Sequence, residues 1–126
     1  MAFSDVELNL HRIGTKRFID SDPTEIILTP RTAQIVAGTK KFVDGVPRAM
    51  QRFKIVWAGD NGIVRIPGQE GGVRRFDFII VGEYDAVVAI HDFWKVENQE
   101  FTIEYVFPSL GYEVKAGGVS HGSSPT

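Results

Sequence analysis

The sequence predicts a small all-β domain, a barrel or a sandwich, from three observations. Apolar residues recur at every second position over several short segments, which is the period of a half-buried strand. Thirteen glycines and six prolines separate these segments. No window of useful length places apolar residues at helical spacing among good helix formers, and the best one, residues 30–36, is poor. The pattern therefore predicts many short strands joined by turns.

Each predicted strand rests on its own alternation or apolar run. The strands are expected at residues 25–29 with a continuation over 31–36 after Pro30, then at 50–57, 75–81, 86–90, 93–96, 100–107 and 112–116. In the clearest of them, Phe101, Ile103 and Tyr105 share one face. Turn residues at 97–99 and 108–111 predict a hairpin on each side of that strand.

The chain of 126 residues has the size of one domain, and we expect three parts. Residues 1–24 are predicted to be an N-terminal arm with at most one edge strand, because Val6, Leu8 and Leu10 alternate weakly. Residues 25–117 are the predicted barrel. Residues 118–126 are polar and rich in Gly and Ser, so they are expected to be a flexible tail.

A long loop, residues 59–74, interrupts the predicted barrel. Its first fourteen residues hold five glycines and one proline. Loops of this length are uncommon in compact domains and are usually functional or disordered. The apolar centre at Ile63, Val64 and Ile66 argues against a simple solvated linker. This loop is therefore a candidate functional segment.

Composition and charge exclude several classes of protein. The chain has no cysteine, which excludes disulfides, thiol nucleophiles and cysteine-rich zinc sites and fits a reducing compartment. Its apolar runs are too short for a membrane-spanning helix, and the N-terminus shows no secretory signal. Residues 1–54 carry nine Lys and Arg against six Asp and Glu, whereas residues 55–126 carry five against ten. This split either orients a subunit against a partner or is ordinary surface charge.

The residues that most invite a catalytic interpretation do not form a credible active site. His11, His91 and His121 are far apart in sequence, and a metal site needs three or four convergent ligands. His91 and Asp92 are adjacent, so in a strand they would point to opposite faces. Asp92 is expected to be a turn residue whose carboxylate accepts from backbone N–H groups. No G-x-S-x-G or P-loop pattern occurs. We expect no catalysis, metal or cofactor.

Two basic doublets remain, Lys40-Lys41 and Arg74-Arg75. They fit either phosphate contacts or solvated strand ends, and the second is favoured because one or two phosphate contacts give little affinity. The aromatic residues at strand spacing are expected in the core rather than on a base-stacking platform.

A family resemblance covers about residues 25–117. It is carried by T-P-R at 29–31, K-F-V-D-G-V-P-R at 41–48, Q-R-F-K-I-V at 51–56, F-D-F-I-I-V-G-E-Y-D-A at 76–86, H-D-F-W at 91–94 and G-Y-E-V-K-A at 111–116. In this order and spacing the chain resembles the head-to-tail stopper (head-closure) proteins of long-tailed phages, especially those of actinobacterial, such as mycobacterial, hosts.

The resemblance implies a small β-barrel that forms a ring, commonly a hexamer, in the virion neck after assembly in the host cytoplasm. The implied partners are other copies, the adaptor protein on the portal side, the tail terminator or tail tube protein, and double-stranded DNA bound without sequence specificity. A loop that follows the first long strand closes the channel in such proteins. The corresponding gating residues here are Asn61, Ile63, Val64, Arg65, Ile66, Arg74 and Arg75. The apolar ones are expected at the ring axis and the arginines at the DNA end.

The arm has its own expected role, because Val6, Leu8 and Leu10 fit a strand added to a neighbour's sheet. A self-packed or disordered terminus fits them equally. Two other functions stay open. A tail terminator usually carries helices packed on a sheet, which the sequence does not indicate. A small β-barrel binding domain needs a basic face with exposed aromatics, which the acidic second half does not supply.

Overall fold

The computed structural model describes residues 4–58, 63–65 and 73–122 of the chain. Within them it has one helix and ten strands: α1 Asp5–Asp20, β1 Thr24–Ile26, β2 Arg31–Val36, β3 Thr39–Asp44, β4 Gln51–Trp57, β5 Ile63–Arg65, β6 Val73–Arg75, β7 Phe78–Glu83, β8 Phe93–Val96, β9 Gln99–Val106 and β10 Glu113–Gly122. The predicted all-β class is confirmed, and one helix is added to it.

Six of the strands form a nearly closed antiparallel barrel. Their order is β1-β4-β7-β10-β9-β8, and every neighbouring pair is antiparallel. The two ends of this sheet meet where Thr29 and Phe93 exchange backbone hydrogen bonds of 2.9 and 3.0 Å. This closure, the β1/β8 seam, lies three strands away in either direction from the junction of β7 and β10. The seam and the β7/β10 junction are therefore on opposite sides of the barrel.

The barrel interior is filled by apolar side chains from alternate strand positions, as the sequence predicts. The buried cluster comprises Ile26, Leu28, Phe53, Phe78, Ile80, Trp94, Phe101, Ile103 and Ala116. Within it the rings of Trp94 and Phe101 stack at 4.9 Å, and Phe78 meets each of them edge-on. Aromatic pairs in these geometries add to the free energy gained by burial.

Strand β10 corrects the prediction of a flexible tail. Residues 118–122 continue the strand and pair with β9, with a register shift between Gly117 and Gly118. A Cβ atom on Gly117 would lie 2.8 Å from the Phe76 ring, and one on Gly118 would overlap the carbonyl oxygen of Thr102. Glycine is required here because neighbouring atoms occupy the space of a side chain. The predicted tail thus starts too early, and residues 123–126 lie outside the described part.

Helix α1 corrects the prediction of an arm with an edge strand. Its N-cap is Ser4, whose Oγ accepts from the Glu7 backbone N–H at 3.2 Å and donates to the Glu7 carboxylate, in the S-x-x-E spacing typical of a helix start. The helix packs on β7 and β4. Its inner face has the helical spacing Leu8, Arg12, Thr15 and Ile19. Two of these residues are polar, which concealed the helical period in the sequence.

The other predicted strands overlap observed ones, most with shifted ends, except at residues 86–90, and β3, β5 and the start of β6 lie outside every predicted strand. Residues 86–90 form a loop rather than a strand, because the Gln51 side chain accepts from Val87 N at 2.7 Å and donates to Val87 O at 3.0 Å. The side chain thereby replaces a strand partner. Strand β3 was not predicted. It pairs with β2 across a two-residue turn in which Ala37 and Gly38 have φ of 52° and 79°.

Candidate functional site

The predicted gating loop leaves the barrel between β4 and β7. The ladder of these strands runs out to the pair Trp57 and Phe78, and Ala58 N then donates to Asp77 O at 3.0 Å. Beyond this point β5 and β6 pair as a separate two-stranded ribbon. Over its described positions the connection between β4 and β7 is therefore a paired antiparallel ribbon.

The ribbon contains five of the seven predicted gating residues. Its register sets Ile63 opposite Arg75 and Val64 opposite Arg74, and Arg65 pairs with Val73. Arg75 is exposed. Asn61 and Ile66 lie outside the described residues. The backbone thus brings the predicted apolar and basic positions together in one element.

The root of the ribbon is held firmly on the barrel. The Asp77 carboxylate accepts from Ser120 N at 2.8 Å, and Asp77 N donates to Gly118 O at 2.8 Å. The Trp57 ring lies 6.1 Å from Phe78 and 5.9 Å from Phe101, yet 58% of this residue is exposed. The ribbon therefore starts from an ordered anchor that presents a large apolar side chain to solvent.

Helix α1 presents a second apolar surface. Val6, Leu10 and Ile13, spaced as one stripe, are 71%, 64% and 49% exposed. At 100° per residue this stripe lies opposite the inner face that packs on the barrel. Of the three predicted arm residues, Val6 and Leu10 are thus available to a partner. Leu8 lies on the other side of the helix, half-buried toward the barrel, so the three predicted residues do not share one face.

The β2–β3 hairpin is a third candidate surface, and the sequence analysis missed it as an element. It forms its own two-stranded sheet, and all six residues of β3 are exposed. Among them Phe42 is 53% exposed, and on β2 Ile35 is 81% exposed. The available signal was Gly38 between two alternating segments, a short-range hairpin pattern.

An ion pair anchors the base of this hairpin. The Arg31 guanidinium donates to both carboxylate oxygens of Glu100 at 3.4 Å and to Asp44 at 3.2 Å, and it lies 3.8 Å over the Phe93 ring. Burial acts to raise the pKa of Glu100, but the hydrogen bonds and charge of Arg31 outweigh it and hold this pKa below its ordinary value. Glu100 is thereby kept ionised as a structural anchor.

Asp92 has the predicted turn role and a further one. Its carboxylate accepts from Ala89 N at 3.1 Å, as expected, and also from Arg48 at 2.8 and 3.2 Å. The carboxylate is almost fully buried. His91, with φ of 75°, instead places its ring against Phe42. His91 and Asp92 therefore contact different partners and do not form an acid–base dyad with each other.

The other histidines lie elsewhere. His11 stacks on Tyr112 at 4.8 Å, and His121 is exposed on β10. Over residues 4–58, 63–65 and 73–122, no three His, Cys, Asp or Glu side chains group closely enough to hold a metal ion. No helix within these ranges has the length and apolar character required to cross a membrane.

Comparison with models of known protein families finds no match for this chain, and comparison with curated proteins finds no significant similarity. Interpretation of function therefore depends on the barrel and on the three candidate surfaces: the ribbon with its root, the outer stripe of α1 and the β2–β3 hairpin.

Proposed function

We propose that this chain is a ring-forming head-to-tail stopper of a tailed-phage neck. In this role it closes the DNA channel after packaging and joins the head-side adaptor ring to the tail. The observation that carries the proposal is the β5–β6 ribbon, which extends from an ordered root at one end of a nearly closed barrel. A barrel that holds a paired ribbon in this way can place the same segment of every copy at a ring axis.

The exposed apolar residues support an assembly protein. Several of them lie on three surfaces, the outer stripe of α1, the β2–β3 hairpin and the root of the ribbon, and the others lie in loops and at strand positions around the barrel. Contiguous apolar surface that remains exposed in a single chain generally marks a contact with another molecule. A part with three such surfaces fits a ring that also meets a partner above and below.

Charge supports a channel-lining role for the ribbon. Arg65, Arg74 and Arg75 all fall in β5 and β6. In a ring of six copies these positions would repeat around the axis near the phosphates of the DNA end, with the positions of Arg65 and Arg75 on one face of the ribbon and that of Arg74 on the other. Contacts of this kind are electrostatic and independent of sequence.

A tail terminator is the second candidate, and α1 is the observation that favours it. The expected absence of a helix was an argument against this role, and the helix packed on β4 and β7 removes that argument. The ribbon remains the reason to prefer the stopper, because it supplies an element suited to closing a channel.

Deleting the gene from the phage separates the two candidates. For a stopper we expect tailless heads that lose their DNA, as seen by electron microscopy and by nuclease sensitivity of the packaged genome. Full and stable heads beside uncapped or overlong tails would assign the chain as a terminator. Restoration by the wild-type gene supplied in trans is the control for effects on neighbouring genes.

A further inference from the structure

The β2–β3 hairpin has one face that is more apolar than the other. Residues opposite each other in an antiparallel pair share a face, so the register joins Ala33 with Phe42 and Ile35 with Lys40. The other face carries Thr32, Gln34, Thr39 and Lys41 together with the apolar residues Val36 and Val43. We call this hairpin the arm, as distinct from the N-terminal helix. The face with Ala33, Ile35 and Phe42 is its more apolar face, and it also carries Arg31 and Asp44 at the root and Lys40 near the tip.

The apolar face of the arm covers the barrel only at its root. There Arg31 lies over the Phe93 ring, and the Phe42 ring is 5.5 Å from that of His91. Toward the tip the same face is uncovered, and Ile35 is 81% exposed. A two-stranded hairpin alone is only marginally stable in water, so a second surface over this face would stabilise it.

A surface of matching character lies on the opposite side of the barrel. We call it the Glu83 face: Ile13, Glu83, Tyr84, Asp85 and Glu113. Ile13 and Tyr84 are 49% and 48% exposed. Two clefts of about 350 and 210 Å³ flank Glu83, the larger lying between α1 and the end of β7.

The Glu83 face is rich in acidic side chains. Glu83 and Glu113 are directly opposite each other on β7 and β10, and like charges in this position are destabilising. In the described part of the chain the Glu83, Asp85 and Glu113 carboxylates have no side-chain partner.

The cations that line the two clefts are already engaged. Lys16 and Arg52 both pair with Asp20, and Arg12 donates to Gly111 O and lies over the Tyr84 ring. An added ammonium group would therefore find carboxylates available at the Glu83 face.

We propose that the arm of one copy docks onto the Glu83 face of a second copy. Ile35 and Phe42 cover Ile13 and Tyr84 there, and Lys40 lies beside Glu83 and Glu113. The arm leaves at the β1/β8 seam and the Glu83 face is at the β7/β10 junction, so the two patches are on opposite sides of each barrel. A contact between two different patches is heterologous, and a ring results when its rotation closes. The inference rests on the proposed function, since it identifies the contact of that ring.

Thiol crosslinking tests this contact directly, because the natural chain has no cysteine. Thr39→Cys places a thiol near the arm tip, and Asn9→Cys places one in the cleft beside Glu83. The two single variants are mixed and treated with a short bis-maleimide. We expect a mixed dimer, and a chain that carries both substitutions should give a ladder of oligomers. Lys95→Cys on β8, mixed with Thr39→Cys, is the control and should give no product, since β8 lies at the seam.

Three outcomes would overturn the proposal: dimers of Thr39→Cys alone, an intrachain product of the double variant, or no product. The same pairs of variants are also crosslinked in particles assembled in infected cells. Absence of product overturns the proposal when the purified proteins and the particles both lack it. A charge reversal completes the test. Glu83→Lys should lower the yield about tenfold, and Lys40→Glu in the other copy should restore it. No recovery would contradict the assigned pairing.

The gene deletion distinguishes failure of this contact from failure of the proposed function. Tailless heads that lose DNA, with no crosslink, would leave the stopper role intact and reject the arm contact. A crosslink with a different deletion phenotype would retain the contact between copies and reject the stopper role.

Discussion

Arg48 and Asp92 join two loops at one end of the barrel through two hydrogen bonds, Nε to Oδ2 at 2.8 Å and Nη2 to Oδ1 at 3.2 Å. The side chain of Asp92 is 1% exposed and that of Arg48 is 25% exposed. The Asp92 hydrogen bond raises the pKa of Arg48 above its ordinary value, against a smaller opposing effect of burial. The pair fixes residues 45–50 against the loop that precedes β8.

Removing Arg48 should be costly because its partner stays buried. We expect Arg48→Met to lower the free energy of unfolding by about 3 kcal/mol, since the Asp92 carboxylate is left without its cation. Chemical denaturation measures this change. Arg52→Met is the matched control, because its partner Asp20 is exposed to solvent and a much smaller change is expected. Equal losses in the two variants would show that the Arg48 pair has no special structural weight.

The glycines of β10 and α1 should respond to alanine with opposite signs. Gly118→Ala places a methyl group against the Thr102 carbonyl and 2.7 Å from the Phe78 ring, so a loss of about 3 kcal/mol is expected. In the helix interior, the methyl group of Gly14→Ala meets nothing within 4 Å beyond the backbone of its own helix. It should stabilise the protein by about 0.5–1 kcal/mol. Thermal denaturation of both variants checks the signs, and a tolerated Gly118→Ala would contradict the packing of β10.

Substitutions on the two faces of α1 should differ in how much they lower the free energy of unfolding. Ile19 is 1% exposed, so Ile19→Ala should cost about 2–4 kcal/mol of unfolding free energy. Leu10 is 64% exposed on the outer stripe, and Leu10→Gln should change stability by less than about 0.5 kcal/mol. Denaturant unfolding of the isolated protein measures both. A large loss for Leu10→Gln would mean that the outer stripe is covered within the single chain.

The Glu100–Arg31 pair predicts a pH dependence of stability. The folded-state pKa of Glu100 is lower than its ordinary value, so the folded protein holds the proton less tightly than the unfolded chain. The contribution of Glu100 to stability is therefore fully present above the ordinary value of 4.5 and is lost as the pH falls through the folded-state pKa. The stability difference between wild type and Glu100→Gln should shrink on acidification below pH 4.5. A difference that stays constant or grows would contradict the pairing, and Glu25→Gln on β1 is the exposed control.

Much of the barrel was predictable from sequence because one face of each strand is buried, as at Phe101 and Ile103 in β9. Helix α1 was not, since its inner face uses Arg12 and Thr15 where a periodic search expects apolar side chains. The end of β10 was missed for a related reason. There the Phe76 and Phe78 rings fill the space that side chains of the strand would occupy, which leaves a local pattern of glycine and serine.

Some features of the candidate surfaces could be predicted from the sequence and others could not. The unusual composition of the loop between β4 and β7 marked it in the sequence, and the turn role of Asp92 followed from local chemistry. Its pairing with Arg48 joins residues 44 positions apart, and no local pattern reports a contact at that separation. The arm and the Glu83 face become recognisable as opposite patches only when the strand order is known.

Retention of packaged DNA after a change in the ribbon tests the central claim most directly. In the gene-deletion phage, a complementing copy carries residues 61–72 replaced by a tight turn, and a second copy keeps the length but carries Ile63→Ser, Val64→Ser and Ile66→Ser. Thermal denaturation of each purified variant verifies that the barrel still folds. The stopper account predicts that heads lose their DNA with the shortened ribbon and leak with the serine variant. Heads that retain their DNA and join tails with the shortened ribbon would contradict it.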